Sequence, residues 1–411
     1  MRRPKELLQN VVAAAWVGLS MLGSAPAQAA EALDAHLTLT GRSTIFELTM
    51  SEGVTAQVFT LANPYRVVID LPDLSFRLDP AAGKKGAGLV SAFRYGQFAE
   101  HKSRVVIDTK GPVKINSANM TRLKGSSAVK LAIALMPMDA EAFGAGTGAM
   151  AHKAAYEPEA VNAAPENTPA PRKPHGKPVI VIDPGHGGID PGAIGANNVT
   201  EKTIVLAVAV QLKDALTKTG LYEVKMTRAD DVFVSLDKRL AFSAENAADL
   251  FISLHADSIE EKNARGAIRG ATIYTLSGRA SDEQARIMAE KENASDLIAG
   301  IENIDRDGGD QVKNILIDLL KRETSNFSAD FSQVLSKRLG KTIAMSKIPR
   351  RSAAFKVLKQ THAPSVLVEL GYLSNQTDEE QMLTADWQSK VAVSITDAVQ
   401  IYFNKRTASQ P

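Results

Sequence analysis

The chain has 411 residues, 48 lysines plus arginines against 46 aspartates plus glutamates, and no cysteine. At about 150 residues per domain the length allows two or three domains, and 44% hydrophobic residues exclude wholesale disorder and collagen-like repeats. A formal net charge of +2 argues against bulk nucleic-acid binding, and the missing cysteine excludes disulfides, thiolate metal sites, a sulfur nucleophile and a lipidated N-terminal cysteine. Any metal must therefore be held by nitrogen and oxygen.

Arg2, Arg3 and Lys5 precede an apolar run from Val11 to Gly23 and then the small-residue site Ala27-Gln28-Ala29. Basic, apolar and small segments in that order predict a secretory signal peptide over residues 1–29. The run is shorter than the about 20 residues of a membrane span. The expected product is an exported chain starting near Ala30, with no transmembrane anchor once the leader is removed. A cysteine-free chain suits a bacterial periplasm. The Arg2-Arg3 pair leaves the export route, Sec or twin-arginine, open.

Residues 33–137 read as strands: HLTLTG, TIFELTMS, AQVFTLAN, YRVVIDLP, LVSAFRYGQF, SRVVIDT and KLAIAL. They are short, rich in Val, Thr, Ile and Phe, often alternating, and separated by turn residues. A small all-β antiparallel sandwich is expected, without clustered catalytic residues, so a binding module is its simplest role. Residues 138–177 turn rich in Ala, Pro, Gly and Asn, the composition of a flexible linker. His152 and His175 lie inside it and read as solvated.

Residues 178–405 alternate strands and helices. PVIVIDPGHGG opens on an apolar strand, and TEKTIVLAVAVQLKDALTKTG has helical spacing between a Thr200 N-cap and a Gly220 stop. YEVKMTR is a strand, SLDKRLAFSAENAA a helix from Ser235, and DLFISLHAD, ATIYTLS and APSVLVELGYLS are strands. EEQMLTADWQSKVAVSITDAVQIYFN reads as one long amphipathic helix. The pattern predicts an α/β domain with a mostly parallel sheet and helices on both faces. Function in such sheets gathers at the carboxyl ends of the strands.

Four residues stand out by that rule. His186 follows VIVIDPG, His255 follows LFISL, Glu369 follows PSVLV, and Glu201 opens a helix after a Gly-rich turn. Taken singly, His255 could be a core histidine, Glu201 a helix-start carboxylate and Glu369 an ion-pair partner. Burying all of them at one sheet edge is costly unless something pairs them. A His/His/Glu set is what zinc takes when no thiolate is present, with a fourth position left for water. His362 precedes the Ala363-Pro364 turn and is a weaker candidate for the site.

These residues carry a resemblance. IDPGHGG, the NNVTEK turn, SLHAD and VLVELGYLSN, in that order, resemble the zinc-dependent N-acetylmuramoyl-L-alanine amidases of the amidase_3 class. FTLANPYRVVIDLPD resembles an AMIN domain, and the whole arrangement is similar to the periplasmic division amidases of the AmiC and AmiB kind. The resemblance implies His186, Glu201 and His255 as ligands of one Zn2+ and Glu369 as the catalytic carboxylate. It implies hydrolysis of the amide between N-acetylmuramic acid and L-alanine in peptidoglycan, used in daughter-cell separation. It also implies that the AMIN-like module binds the wall or targets the enzyme. A non-catalytic wall-binding or scaffold protein, and a zinc peptidase cutting within the stem peptide, are the competing readings.

An insertion follows ATIYTLS. RASDEQARIMAEKENASDLIAGI reads as a helix at about residues 281–302, with Ile287, Ala294, Ile298 and Ile301 along one stripe. At about 100° per residue, Glu290 falls within that stripe and Glu292 away from it. By composition alone this is a solvated surface helix. The resemblance implies instead an autoinhibitory helix whose glutamate fills the open metal position, with Glu292 first choice and Glu290 second. A periplasmic division activator with a LytM-type domain would then withdraw it.

Overall fold

Strict alternation in STIFELTM buries Phe46, Leu48 and Met50 and turns their neighbours outward, the signature of a strand with one face on a core. Among the described residues, nine strands build the first domain: β1 (Ala30–Thr40), β2 (Ser43–Met50), β3 (Gln57–Leu61), β4 (Arg66–Pro72), β5 (Leu74–Phe76), β6 (Val90–Ala99), β7 (Lys102–Thr109), β8 (Val113–Arg122) and β9 (Val129–Pro137). They form two sheets, β5-β1-β2-β9-β8 and β3-β4-β7-β6. Every pairing is antiparallel except β1 with β5. Phe46, Leu48, Val67, Ile69, Val105, Ile107 and Ile133 fill the space between the sheets. Each such side chain contributes about 1.5–3 kcal/mol when fully buried. The first strand starts at Ala30, slightly ahead of the expected boundary at residue 33. The strand pattern in the sequence does not reveal β5 or β8; β8 is an edge strand whose side chains are mostly exposed and polar, so it lacks an apolar alternation.

The structure, a computed structural model, describes residues 30–79, 81–143, 176–258, 268–301, 314–360 and 362–408. The leader and most of the linker, with His152 and His175, lie outside the described residues. Among those described, no helix is long and apolar enough to cross a membrane.

The second domain has strands β10 (Val179–Pro184), β11 (Glu223–Met226), β12 (Leu250–His255), β13 (Ala271–Leu276), β14 (Met345–Ala353) and β15 (Ser365–Glu369). Its helices are α1 (Glu201–Lys218), α2 (Leu236–Glu245), α3 (Glu283–Asn293), α4 (Ser295–Ile298), α5 (Asn314–Leu339), α6 (Gln376–Met382) and α7 (Ala385–Ala408). The sheet order is β11-β10-β12-β15-β13-β14, parallel throughout except between β13 and β15. One face packs Ile180, Ile182, Leu250 and Val366 against α1, α5 and α7. The other packs Val181, Phe251, Tyr274 and Leu367 against α2 and α3. Helices thus cover both faces, as buried parallel strands require.

Three local expectations change. The predicted terminal helix is two, because Leu383 caps α6 and α7 begins at Ala385. Thr200 occupies the N-cap of α1 with extended backbone, but its hydroxyl meets Thr203 Oγ1 at 2.9 Å and does not cap the helix. The edge strand β14, MSKIPRRSA, carries no strand signal in the sequence because it is polar and contains Pro349, which edge strands tolerate.

Candidate functional site

β10, β12 and β15 lie side by side and parallel, so their carboxyl ends emerge at one sheet edge. His255 and Glu369 are the last residues of β12 and β15 and stand opposite each other in register. His186 follows β10 in a tight turn and itself adopts the left-handed region at φ 56. The chain can pass there because residue 185 is glycine: a Cβ on Gly185 would lie 2.4 Å from the His255 ring. Two buried arginines brace the turn. Arg239 donates to Pro184 O and His186 O, both at 2.8 Å, and Arg228 donates to Gly185 O at 2.8 Å. Asp183 anchors Arg239 from beneath, accepting from it at 2.5 Å.

Four donors converge above this turn. His186 Nε2 lies 3.1 Å from Glu201 Oε1 and 3.3 Å from Glu292 Oε2. His255 Nδ1 lies 3.1 Å from each of the same two oxygens. All four residues are buried. His186 Nδ1 pairs with Asp190 Oδ2 at 2.8 Å, which turns Nε2 towards the two glutamate oxygens. That Nε2 is buried with no hydrogen-bond partner, and so is Glu292 Oε1. His186, His255 and Glu292 can together offer ligand atoms within 4.8 Å of one another, the grouping expected of a metal site. Glu201 is tied more firmly, accepting Ala256 N–H at 2.9 Å on Oε1 and Ala193 N–H at 2.8 Å on Oε2.

The electrostatics follow from this crowding. Burial opposes charge on both imidazoles, yet the adjacent carboxylates override it: His186 is raised well above its ordinary value, and His255 to about 10. Burial likewise opposes ionisation of Glu201 and Glu292, but the two histidines pull both carboxyls below the usual range. Glu369 moves the other way. Burial, reinforced by Asp257, Glu201 and Glu292, raises it well above an ordinary glutamate. Its Oε2 accepts Asp257 N–H at 3.0 Å, while Oε1 is buried without a partner.

The three strand-end residues and the helix-start Glu201 singled out by sequence therefore come together, and Glu292 joins them. Glu290 does not: it is exposed and pairs with Arg286 on the far side of α3. The buried side of α3 is Ala285, Met288, Ala289 and Glu292, while Ile287 is 54% exposed. The apolar stripe predicted from spacing runs across a break, because Ala294 ends α3 and starts α4 and so resets the helical phase. His362 sits at the amino end of β15, with Nε2 3.4 Å from Ser243 Oγ, on the opposite edge from Glu369. Sequence reasoning missed Asp190, Asp257 and Lys291. Asp257 is buried, pushed up to about 6 by that burial, and paired with Lys291 of α3. HGGID and HAD place Asp190 and Asp257 close after each histidine, the one signal that could have found them.

Comparison with known proteins agrees with this layout. The N-acetylmuramoyl-L-alanine amidase profile matches residues 180–401, and the AMIN domain profile matches residues 36–134. The chain is similar to N-acetylmuramoyl-L-alanine amidase AmiC of Escherichia coli O6:H1, 32% identical over 355 residues, which is 84% of this chain and 83% of that one. It is 32% identical over 359 residues to the AmiC protein of Neisseria meningitidis serogroup B, covering 85% and 84% of the two chains. N-acetylmuramoyl-L-alanine amidase AmiA of Escherichia coli K12 is 36% identical over 237 residues, 57% of this chain and 80% of that one.

Proposed function

The chain belongs to the N-acetylmuramoyl-L-alanine amidase family, and from that premise we propose that it is a zinc enzyme cleaving the amide between N-acetylmuramic acid and the L-alanine of the peptidoglycan stem. The observation that carries the metal is the donor spacing. Ligands about 2.0–2.1 Å from a tetrahedral zinc stand about 3.3 Å apart, and the four nitrogen–oxygen separations here run from 3.1 to 3.3 Å. The unpartnered His186 Nε2 fits the same reading. His186, His255 and Glu201 would hold the ion, all nitrogen and oxygen donors as a cysteine-free chain must supply.

When bound, zinc lowers the pKa of water at its open position and polarises the scissile carbonyl. Glu369 supplies the proton chemistry. Its free Oε1, at the end of β15 opposite His255, suits it to take a proton from the attacking water. The water oxygen bonds to the lactyl carbonyl carbon, the carbon–nitrogen bond breaks, and the proton passes to the leaving amine of L-alanine. Asp257 N–H fixes the other oxygen of Glu369 and so its orientation.

Glu292 occupies the position that water would need. It faces both imidazoles, and its presence supports a resting state in which α3 blocks the site. An activator that withdraws α3 would restore the open position; a LytM-type division protein is the partner class we assign. Residues 1–29 direct export, and the enzyme works in the periplasm against the wall.

Purified protein supplied with Zn2+ and its activator, or carrying Glu292→Ala, should release intact stem peptides from sacculi, and a chelator should stop it. Mass spectrometry locates the cut. Cleavage inside the stem peptide, or none, overturns the proposal.

A further inference from the structure

One pentapeptide occurs twice in the β-sandwich. Arg-Val-Val-Ile-Asp is residues 66–70 in β4 and residues 104–108 in β7. The two strands pair antiparallel, so Arg66 stands opposite Asp108, Val68 opposite Val106, and Asp70 opposite Arg104. Alternation sends Val67, Ile69, Val105 and Ile107 into the sandwich core and the arginines, central valines and aspartates outward. An outward face should be wet, yet Val68 and Val106 are fully buried, and Arg66 and Arg104 are 1% and 2% exposed.

What covers them is the end of the segment that carries Glu292. Arg66 donates to Leu297 O, Arg94 Nε to Ile298 O at 2.7 Å, and Arg104 Nη1 to Ala299 O at 2.9 Å. These are the carbonyls of the last turn of α4 and of its C-cap Ala299; Leu297 O also accepts Gly300 N–H at 3.0 Å, and carbonyls left over at a helix end accept from side-chain donors. Gly300 ends the helix in the left-handed region at φ +74, and a Cβ there would lie 3.2 Å from Val68 and 3.3 Å from Val106. Asp70 grips Arg104, and Asp108 grips Arg94, each with both carboxylate oxygens, fixing those guanidinium groups in place. Arg104 also stacks on Phe98, 3.4 Å from the ring centroid, and Phe98 stacks on Phe233 of the second domain. Beside this contact the backbones of Gly96 and Gly188 touch: a Cβ on Gly96 would lie 2.6 Å from Gly188.

We propose that this face of the β-sandwich is a latch that grips the carboxyl end of α4 and thereby keeps α3, with Glu292, in the metal site. The inference rests on the reading of Glu292 as a blocking ligand. It makes the AMIN-like domain a regulator, because that domain must let go of residues 297–300 before α3 can leave. Whatever draws the sandwich away, a wall strand or a protein, would open the enzyme through this contact.

The full chain supplied with Zn2+ provides the test. Arg66→Ala combined with Arg104→Ala removes two of the three grips. Gly96→Ala keeps every arginine and both valines but wedges the surfaces apart with one methyl group. Hydrogen exchange of residues 283–301 should accelerate about tenfold in both variants, while β2 and β9 keep their protection and so report a folded sandwich. Stem-peptide release without activator should rise about fivefold or more, towards the level of Glu292→Ala. Unchanged exchange in residues 283–301 with a folded sandwich overturns the latch. So does faster exchange without faster release, if Glu292→Ala is active. A silent Glu292→Ala that still binds zinc would instead overturn the blocking reading on which the latch depends.

Discussion

Two helices deliver a glutamate to the same pair of histidines, and they do so from opposite ends. Glu201 is the first residue of α1, where the helix dipole favours a carboxylate. Glu292 lies in the last turn of α3, where the dipole opposes one. Glu201 is fastened by two backbone N–H donors, whereas Glu292 Oε1 has no partner. α1 is 18 residues long and buries Ile204, Val205, Val208, Leu212 and Leu216. α3 has 11 residues and buries only Ala285, Met288, Ala289 and Glu292. The contrast teaches that equal distances to the histidines do not mean equal permanence. Glu201 is built into the fold, and Glu292 is held mainly by the histidines and by its neighbours' contacts.

If that contrast is right, the two alanine variants should move activity in opposite directions. Glu201→Ala should have the largest effect, a loss of zinc and of hydrolysis beyond about 100-fold, since even outer partners of metal ligands cost about 10–100-fold. Metal content by mass spectrometry and sacculus digestion check both parts. Glu292→Ala should raise hydrolysis without activator about tenfold, equivalent to about 1.4 kcal/mol, with zinc content kept. Equal losses in the two variants would erase the distinction. Lys291→Ala removes the ion pair from α3 to Asp257 and leaves that buried carboxyl without its cation. It should raise basal release, measured in the same digestion assay, but by less than Glu292→Ala, because the blocking carboxylate itself stays. Glu290→Ala should be nearly silent, within about 0.5 kcal/mol in stability, because it breaks only an exposed pair with Arg286. A Glu290 effect matching that of Glu292 would return the helix to the orientation that residue spacing suggested.

The strand-end histidines and Glu369 were legible because parallel strands buried on both faces read as apolar runs, and a polar residue at the end of such a run is conspicuous. Two of the edge strands were not. β8 and β14 have water on one flank, carry polar side chains, and lack the alternation that marks a strand. The face of α3 was misread for a different reason: spacing assumes one unbroken helix, whereas Ala294 ends α3 and starts α4.

By itself the sequence determined a β module ahead of an α/β domain, with no thiol chemistry and with His186, Glu201, His255 and Glu369 near one sheet edge. It determined this because burial periodicity and the absence of cysteine are local facts. Only the tertiary structure decided that Glu292 rather than Glu290 faces the histidines, and that Arg66, Arg94 and Arg104 meet the carbonyls of residues 297–300. Those contacts join residues about 200 positions apart along the chain. They depend on how two domains pack, which no local pattern of side chains records.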